Sequence, residues 1–279
     1  MTTARRTDLA VEAREMASGE SAALPGVSVL ETRRYGCAVT RVEVLDDRGA
    51  AALGKPIGSY RTVELSPTAE GEDYERQVRC VAEELTALLP EDPETPLLVL
   101  GLGNRDITPD AVGPLTAAGT VVTRHLRRHL PDSFGHLREV AALAPGVMGD
   151  TGLESAEILR GVAAECRPGA VIAVDALAAL SIHRLCTTVQ LSSAGIVPGS
   201  GVGNARAALN AETLGLPVIA LGVPTVIDAG ALREDARGMI VTPKDIDARV
   251  RQVSRLCGAA ISAAAHPSLT LEDHALFLG

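Results

Sequence analysis

The sequence has very few aromatic side chains, and this limits how its core can be built. Only 2% of the 279 residues are Phe, Trp or Tyr, and Trp is absent. A chain of this length buries roughly three-quarters of the surface that it exposes when unfolded. Ala, Val, Leu and Ile must therefore form the core, and folding needs neither a metal nor a disulfide.

An excess of positive charge is also lacking. The formal net charge is −9, and the isoelectric point is about 5.2. Proteins that hold nucleic acid through its phosphates carry a basic surface, which this composition does not supply. We therefore expect no nucleic-acid partner.

Closely spaced cysteines and long apolar runs are missing as well. The five cysteines form no CxxC motif, a pattern typical of reduced thiols in a cytosolic protein. No apolar run reaches the roughly 18 residues of a membrane helix, and no apolar signal segment opens the chain. These absences predict a soluble, cytoplasmic protein without a membrane partner.

What the sequence does contain is centred on residues 97–114, which read LLVLGLGNRDITPDAVGP. The first four residues are apolar and predict a strand buried on both faces. Thr108 and Pro109 are typical of a helix start, as an N-cap and a first helical residue. Asp110 would then lie just beyond the carboxyl end of a central strand, where open α/β sheets place their sites.

A second apolar segment, AVIAVDAL, brings Asp175 to an equivalent position. Each acid has a structural explanation: Asp110 would favour the helix dipole, and Asp175 could cap the next segment. Together, two carboxyl groups allow one to act as general base on water while the other, protonated, polarises a carbonyl. The pair at one sheet edge therefore predicts a hydrolytic site.

Short apolar strands alternate with amphipathic helices along the chain. This order predicts the α/β class, as a three-layer sandwich around a mostly parallel twisted sheet with an antiparallel edge piece. The edge piece is a predicted hairpin of residues 37–45 and 54–65. Residues 1–36 are polar and predict no sustained strand, and composition alone favours a frayed helix around residues 6–13.

Three local patterns add predictions that the structure can check. Residues 121–126 are β-branched enough to predict a short strand. Thr151 and Glu154 form a capping-box pattern, which predicts a helix from there to about Cys166. In the helix that follows Ser66-Pro67, the apolar face predicts that Glu84 points away from the core.

Other kinds of site have weaker support. The glycine loop after residue 100 lacks both the third glycine of a dinucleotide site and the lysine of a P-loop. Ser200 has no G-x-S-x-G elbow, and His125 and His183 have no metal-binding spacing. Asp228 is a possible third acid, better explained as a loop cap. We therefore predict no cofactor and no metal.

Ten longer segments occur in the order of one known family and span residues 6–247. They read RTDLAVEA, GKPIGSY, GLGN, TPDAVGP, TRHL, PGVMGDTGLES, VDALAAL, PGSGVGNAR, GVPTVIDA and VTPKDID. On these segments the chain resembles the germination protease of spore-forming bacteria. The resemblance implies an endopeptidase of the spore core that degrades small acid-soluble spore proteins during germination, cutting after an acidic residue.

The resemblance also implies roles for individual residues. The family's two proposed catalytic aspartates match Asp110 and Asp175. Family zymogens lose a short propeptide by self-cleavage at a substrate-like sequence, and the matching bond joins Asp8 and Leu9. Residues 1–8 would then be the propeptide and residues 9–279 a single peptidase domain. A homotetramer and a fold similar to hydrogenase-maturation endopeptidases are implied too, although the family's long insertion after Ala229 is absent.

Several alternatives stay open at this point. The same two acids could bind a metal beside a histidine, as in a metal-dependent endopeptidase resembling the hydrogenase-maturation enzymes. The chain could also be a non-catalytic relic that binds spore proteins, or, with least support, a nucleotide-binding regulator. Arg124, Arg184 and Arg206 are all candidates for recognising an acidic substrate side chain.

Overall fold

The computed structural model describes residues 7–18, 24–66, 69–199, 206–231, 233–236 and 238–278. Within these ranges the strands are β1 (Val27–Arg34), β2 (Cys37–Val44), β3 (Gly58–Glu64), β4 (Leu97–Gly101), β5 (Val140–Leu143), β6 (Ala170–Ala179), β7 (Thr188–Ser192), β8 (Val218–Asp228) and β9 (Ile240–Val241). The helices are α1 (Ala10–Ser18), α2 (Asp47–Leu53), α3 (Gly71–Thr86), α4 (Val112–Ala118), α5 (Arg124–His129), α6 (Pro131–Phe134), α7 (Met148–Thr151), α8 (Ser155–Cys166), α9 (Ala211–Leu214), α10 (Ile246–Ala265) and α11 (Leu271–Leu278). None of these helices is both long enough and apolar enough to cross a membrane.

The strands of the described ranges form one open, mixed sheet in the order β1-β2-β3-β7-β8-β6-β4-β5, with β9 added beside β8. Strands β8, β6, β4 and β5 are parallel neighbours. Strands β1, β2, β3 and β7 pair antiparallel and continue the sheet from β8. The α/β class and the parallel centre are thus confirmed, and the antiparallel part is larger than the predicted edge piece.

Apolar side chains cover both faces of the parallel strands. In β4, Leu97 and Val99 pack under α3, α4 and α10, whereas Leu98 and Leu100 pack under α8. This two-sided burial is what the uninterrupted apolar run predicts. Helices cover both faces of the sheet, so a site can form at the uncovered ends of the parallel strands.

The segments around the sheet differ from the sequence-based expectation in three places. The polar N-terminal region supplies a full strand, because β1 pairs with β2 along its whole length. The β-branched residues 121–123 lead into α5 and do not form the expected strand. Thr123 exchanges hydrogen bonds with Val140 of β5 through its backbone N–H and its hydroxyl, and the hydroxyl also donates to the Arg138 carbonyl. Helix α8 begins after Glu154, whose capping box is made with Glu157 rather than Thr151.

The expectation for Glu84 is wrong, because its side chain is 0% exposed. Arg41 and Arg61 are register partners on β2 and β3, and both point toward α3. The Glu84 carboxylate lies between them, 2.6 Å from Arg41 Nη2 and 3.2 Å from Arg61 Nη1. Two neighbouring guanidinium groups on the sheet need a buried counterion. The Glu84 side chain therefore points toward the sheet and not toward the solvent.

Replacing Glu84 by Ala is expected to destabilise the fold by about 3 kcal/mol or more, because two partly buried cations lose their shared anion. Urea unfolding of Glu84→Ala measures this loss directly. The matched control is Glu83→Ala, since Glu83 is the half-exposed neighbour that pairs with Arg34. A control effect below about 1 kcal/mol is expected for such an exposed pair. Equal losses in the two variants would contradict this account.

Candidate active site

Asp110 lies in a single 3-10 turn between β4 and α4. The Thr108 hydroxyl, predicted to cap a helix, instead donates a hydrogen bond to Asp247 at 2.7 Å. The Asp110 carboxylate accepts a 2.7 Å hydrogen bond from the Asn104 N–H. Gly103 has φ +107°, and a Cβ there would lie 2.1 Å from the Asp110 carbonyl oxygen. The loop can therefore fold back tightly over the end of β4 and hold Asp110 there.

A second glycine, Gly113 of α4, brings this helix against two strand ends. A Cβ at Gly113 would lie 2.1 Å from the Leu102 carbonyl oxygen and 2.5 Å from that of Val174. Both contacts are with backbone atoms, which have no freedom to rotate away. Gly113 is thus what sets the close approach of the Asp110 loop to β6.

The substitution Gly113→Ala is expected to lower stability by about 1–3 kcal/mol and to reduce any activity that depends on Asp110. Gly161→Ala is the matched control, because Gly161 is also helical and an added Cβ there meets nothing within 4 Å. Alanine stabilises such an exposed helical position by roughly 0.5–1 kcal/mol. Thermal unfolding should therefore shift in opposite directions in the two variants. A shift in the same direction would contradict the packing described for α4.

Asp175 is placed by the unequal lengths of β4 and β6. Strand β4 pairs with β6 only as far as Gly101 and Val174, while β6 continues beside β8. Asp175 is therefore the first β6 residue beyond the end of β4. Its face of the strand is otherwise buried and apolar, and Asp175 itself is only 6% exposed. The carboxylate accepts a 2.9 Å hydrogen bond from the Ala176 N–H.

The structure brings Asp110 and Asp175 into one cavity of about 310 Å³ at the carboxyl edge of the parallel strands. Asp8 and Arg206 line the same cavity. Burial raises the pKa of both Asp110 and Asp175, and the positive charge of Arg206 offsets part of this rise. The cavity therefore combines carboxyl groups with a cation in a largely apolar surrounding.

The other arginines and the third acid lie elsewhere. Arg124 forms an ion pair with Glu139 at 3.1 Å. Arg184 forms ion pairs with glutamates of α1. Asp228 accepts a 2.7 Å hydrogen bond from the Gly230 N–H, which is the predicted loop cap. Of the three candidate arginines, Arg206 is the one that the structure places beside the two acids.

Burial affects the pKa values of Asp110 and Asp175 to different extents. Burial, together with the negative charges of Asp110 and Asp8, raises the pKa of Asp175 to about 8. Burial also raises the pKa of Asp110, while the Asn104 N–H and Arg206 lower it. Asp110 is less deeply buried than Asp175, and its ionised form accepts the Asn104 hydrogen bond, so the pair loses its first proton at Asp110. At neutral pH this pair then holds one carboxylate and one carboxylic acid.

The N-terminal segment is anchored beside this cavity. The Asp8 N–H donates to the Ala178 carbonyl at 3.0 Å, and the Ala178 N–H donates to Asp8 Oδ2 at 2.8 Å. Lys55 Nζ donates to the Thr7 carbonyl at 2.8 Å. Leu9 is fully buried among apolar residues of β6 and β8. The helix that composition favours is thus present from Ala10 onward as α1, but its start is buried and anchored, so it is not frayed.

The residues available for a metal can also be placed. Among the described residues, no three His, Cys, Asp or Glu side chains are grouped to hold one metal ion. His125 lies in α5 and His183 in the turn that follows β6. No histidine in the described ranges lines the cavity. Ser200 and the glycine-rich residues 201–205 lie outside the described residues.

An open α/β sheet that brings two carboxyl groups into one cavity places the chain in the class of α/β proteins with a site at the carboxyl ends of their parallel strands. Comparison with known proteins narrows this class. The family model of the germination protease matches residues 4–240. The chain therefore belongs to the germination protease family and is a peptidase.

Individual relatives support the same assignment. The germination protease of Caldanaerobacter subterraneus is 39% identical, and the alignment covers 96% of each chain. That of Clostridium perfringens is 38% identical over 98% of each chain. That of Bacillus mycoides is 44% identical over 85% of this chain and 66% of the relative. The similarity thus extends over almost the whole chain, including the segments that carry the two acids.

Proposed function

We propose that this peptidase is an endopeptidase in which Asp110 and Asp175 activate water and polarise the peptide carbonyl. The observation that carries the proposal is the shared cavity, in which Asp175 has a pKa of about 8 and Asp110 ionises first. A carboxylate is needed to take a proton from water, and a carboxylic acid is needed to donate to the carbonyl oxygen. Asp110 and Asp175 would supply one of each at neutral pH.

Each proton that moves in the proposed reaction comes from water or Asp175 and ends on the leaving amine or Asp175. The Asp110 carboxylate accepts a proton from water, the resulting hydroxide attacks the carbonyl carbon, and Asp175 gives its proton to the carbonyl oxygen. When the tetrahedral intermediate breaks the C–N bond, Asp110 transfers its proton to the leaving amine. The hydroxyl proton of the intermediate returns to Asp175, so both acids regain their starting states.

We propose that the substrates are small acid-soluble spore proteins. The peptidase would act in the spore core and cut them after an acidic residue. Family membership and Arg206 support this choice, because a cation in the cavity favours a carboxylate side chain beside the scissile bond. Self-processing at the bond between Asp8 and Leu9 belongs to the same proposal, with residues 1–8 as propeptide and 9–279 as peptidase domain. The position of Asp8 in the cavity supports it. A homotetramer is part of the family's pattern and of this proposal.

The experiment that tests this function is digestion of a purified small acid-soluble spore protein, with the cut bonds mapped by mass spectrometry. We expect cleavage after Asp or Glu, equal rates with and without a chelator, and no cleavage by Asp175→Asn. Loss of activity with the chelator would favour a metal-dependent endopeptidase. Binding without cleavage would favour a spore-protein-binding relic, and either result would overturn the proposal.

A further inference from the structure

We propose that the side-chain amide of Gln190 binds the carbonyl oxygen of the bond that is cut and stabilises the negative charge that develops there. This inference rests on the proposed function, in particular on cleavage between Asp8 and Leu9. Gln190 lies in the middle of β7 and is only 7% exposed. Its polar atoms therefore have to find partners within the protein.

Both ends of the Gln190 amide contact the N-terminal segment. Nε2 donates to the Asp8 carbonyl oxygen at 3.1 Å, and Oε1 accepts from the Ala10 N–H at 2.6 Å. The N–H between them, that of Leu9, donates to the Thr7 hydroxyl at 3.0 Å instead. Gln190 thus brackets the peptide bond between Asp8 and Leu9 and donates to the carbonyl that water would attack.

The register of the sheet relates Gln190 to Asp175. Gln190 on β7 and Asp175 on β6 are both partners of Gly222, which lies on β8 between them. Register partners on adjacent strands are about 4.8 Å apart and direct their side chains to the same face of a sheet. Gly222 has no side chain, and the Leu177 side chain of β6 lies over it. Gln190 lines a neighbouring cavity that shares Leu177 and Asp8 with the cavity of Asp175. The N-terminal segment crosses this face, and its Asp8 also lines the cavity of Asp175.

This arrangement gives the amide a catalytic purpose. During attack by water, the carbonyl oxygen gains negative charge, and a preformed N–H donor binds it more strongly than it binds the uncharged carbonyl. One such donor contributes about 10²–10³-fold to kcat in hydrolases that have been tested by mutation. Asp175 would act as the acid at this oxygen, and Gln190 would be a second, fixed donor.

The test compares two substitutions in the full-length chain. Gln190→Met keeps the size of the side chain and removes the donor. Gln190→Glu supplies a donor only when the introduced carboxyl is protonated. The substrate is a peptide with the sequence of residues 4–13, ARRTDLAVEA. Self-processing is followed in parallel by intact mass, and circular dichroism and thermal unfolding check the fold of each variant.

We expect Gln190→Met to lower kcat about 10²–10³-fold with a smaller change in KM, because the lost hydrogen bond is present with the intact bond and becomes stronger in the transition state. Gln190→Glu should be equally poor at neutral pH and recover part of kcat as the pH falls. Gln77→Glu is the matched control, since Gln77 is buried in α3 and accepts from the Ser66 N–H away from the cavity. Its kcat should equal that of the wild type.

The possible outcomes distinguish failure of the role proposed for Gln190 from failure of the proposed function. Unchanged kcat in Gln190→Met, or a rise in KM alone, would overturn the role of Gln190 while leaving the proposed function intact. A lower unfolding temperature with normal kcat would make Gln190 a structural anchor of α1 only. If the wild-type chain cuts neither its own bond nor the peptide, the proposed function fails and this inference fails with it.

Discussion

Asp175→Asn is expected to abolish peptide cleavage and, at the same time, to stabilise the folded chain at neutral pH. The activity should fall by at least about 10³-fold, because the amide cannot deliver a proton to the carbonyl oxygen. The stability should rise because a buried carboxyl group is replaced by a group that never ionises. With a folded pKa of about 8, Asp175 keeps its proton at pH values where the unfolded chain has lost it.

The sign of the pH effect follows from proton binding. Between about pH 4 and pH 8 the folded state holds one proton more than the unfolded state at this residue, so wild-type stability falls as the pH rises. The slope is roughly 1.4 kcal/mol per pH unit, which amounts to a few kcal/mol at neutral pH. Asp175→Asn lacks this slope, and its advantage over the wild type should grow across that range.

Urea unfolding at several pH values, for wild type and Asp175→Asn, measures this difference. Asp228→Asn is the control, because Asp228 is exposed at the end of β8 and outside the cavity. Its stability should follow that of the wild type at every pH. A stability difference between Asp175→Asn and wild type that does not depend on pH would contradict the buried, protonated state of Asp175.

Asp110→Asn is expected to eliminate cleavage as well, since it removes the base that takes the proton from water. It should also lower the pKa of Asp175, because the Asp110 charge is one of the causes that raise it. Carbon-13 NMR of labelled aspartate measures the Asp175 pKa in wild type and in Asp110→Asn. In the wild type, the pH–rate profile should be bell-shaped, with its alkaline limb near the Asp175 pKa of about 8.

Two results would contradict this pairing of the acids. An Asp175 pKa that is the same in wild type and Asp110→Asn would show that the carboxyl groups do not interact. A wild-type rate that keeps rising well above the Asp175 pKa would show that its proton is not required. Asp106→Asn is a suitable control for both measurements, because Asp106 is exposed in the same loop and does not line the cavity.

The part of the fold that positions the acids could be predicted from local sequence. The apolar residues of β4 and β6 allow only a strand buried on both faces, and Asp175 interrupts one of these runs. Because parallel strands present the same ends to the same edge, an acid after each apolar run predicts that both acids lie near that edge. Asp175 in fact lies inside β6, at the point where β4 ends, and this placement depends on the unequal lengths of the two strands, which could not be predicted. The loop residues around Asp110 follow from glycines that allow close backbone contacts.

The parts that could not be predicted depend on partners distant in the sequence. Glu84 is buried because β2 and β3 place two arginines side by side, which no helical periodicity reveals. In the sequence, Gln190 looks like an ordinary strand residue. Only the fold shows that its side-chain amide hydrogen-bonds to the backbone of Asp8 and Ala10. A single amide within a buried strand is the one signal that could have drawn attention to it. Residues 121–123 have strand propensity, but their tertiary hydrogen bonds direct the chain into α5.

The measurement that tests the central claim most directly is the intact mass of the full-length chain during incubation at mildly acidic pH, beside Asp110→Asn and Asp175→Asn. The two-acid account predicts that the wild type alone loses residues 1–8, so that its new N-terminus is Leu9. Loss of the same residues from either variant at the wild-type rate would contradict the assignment of Asp110 and Asp175 as the catalytic pair. A wild-type chain that stays intact and also leaves the peptide of residues 4–13 uncut would contradict the proposed activity at this bond.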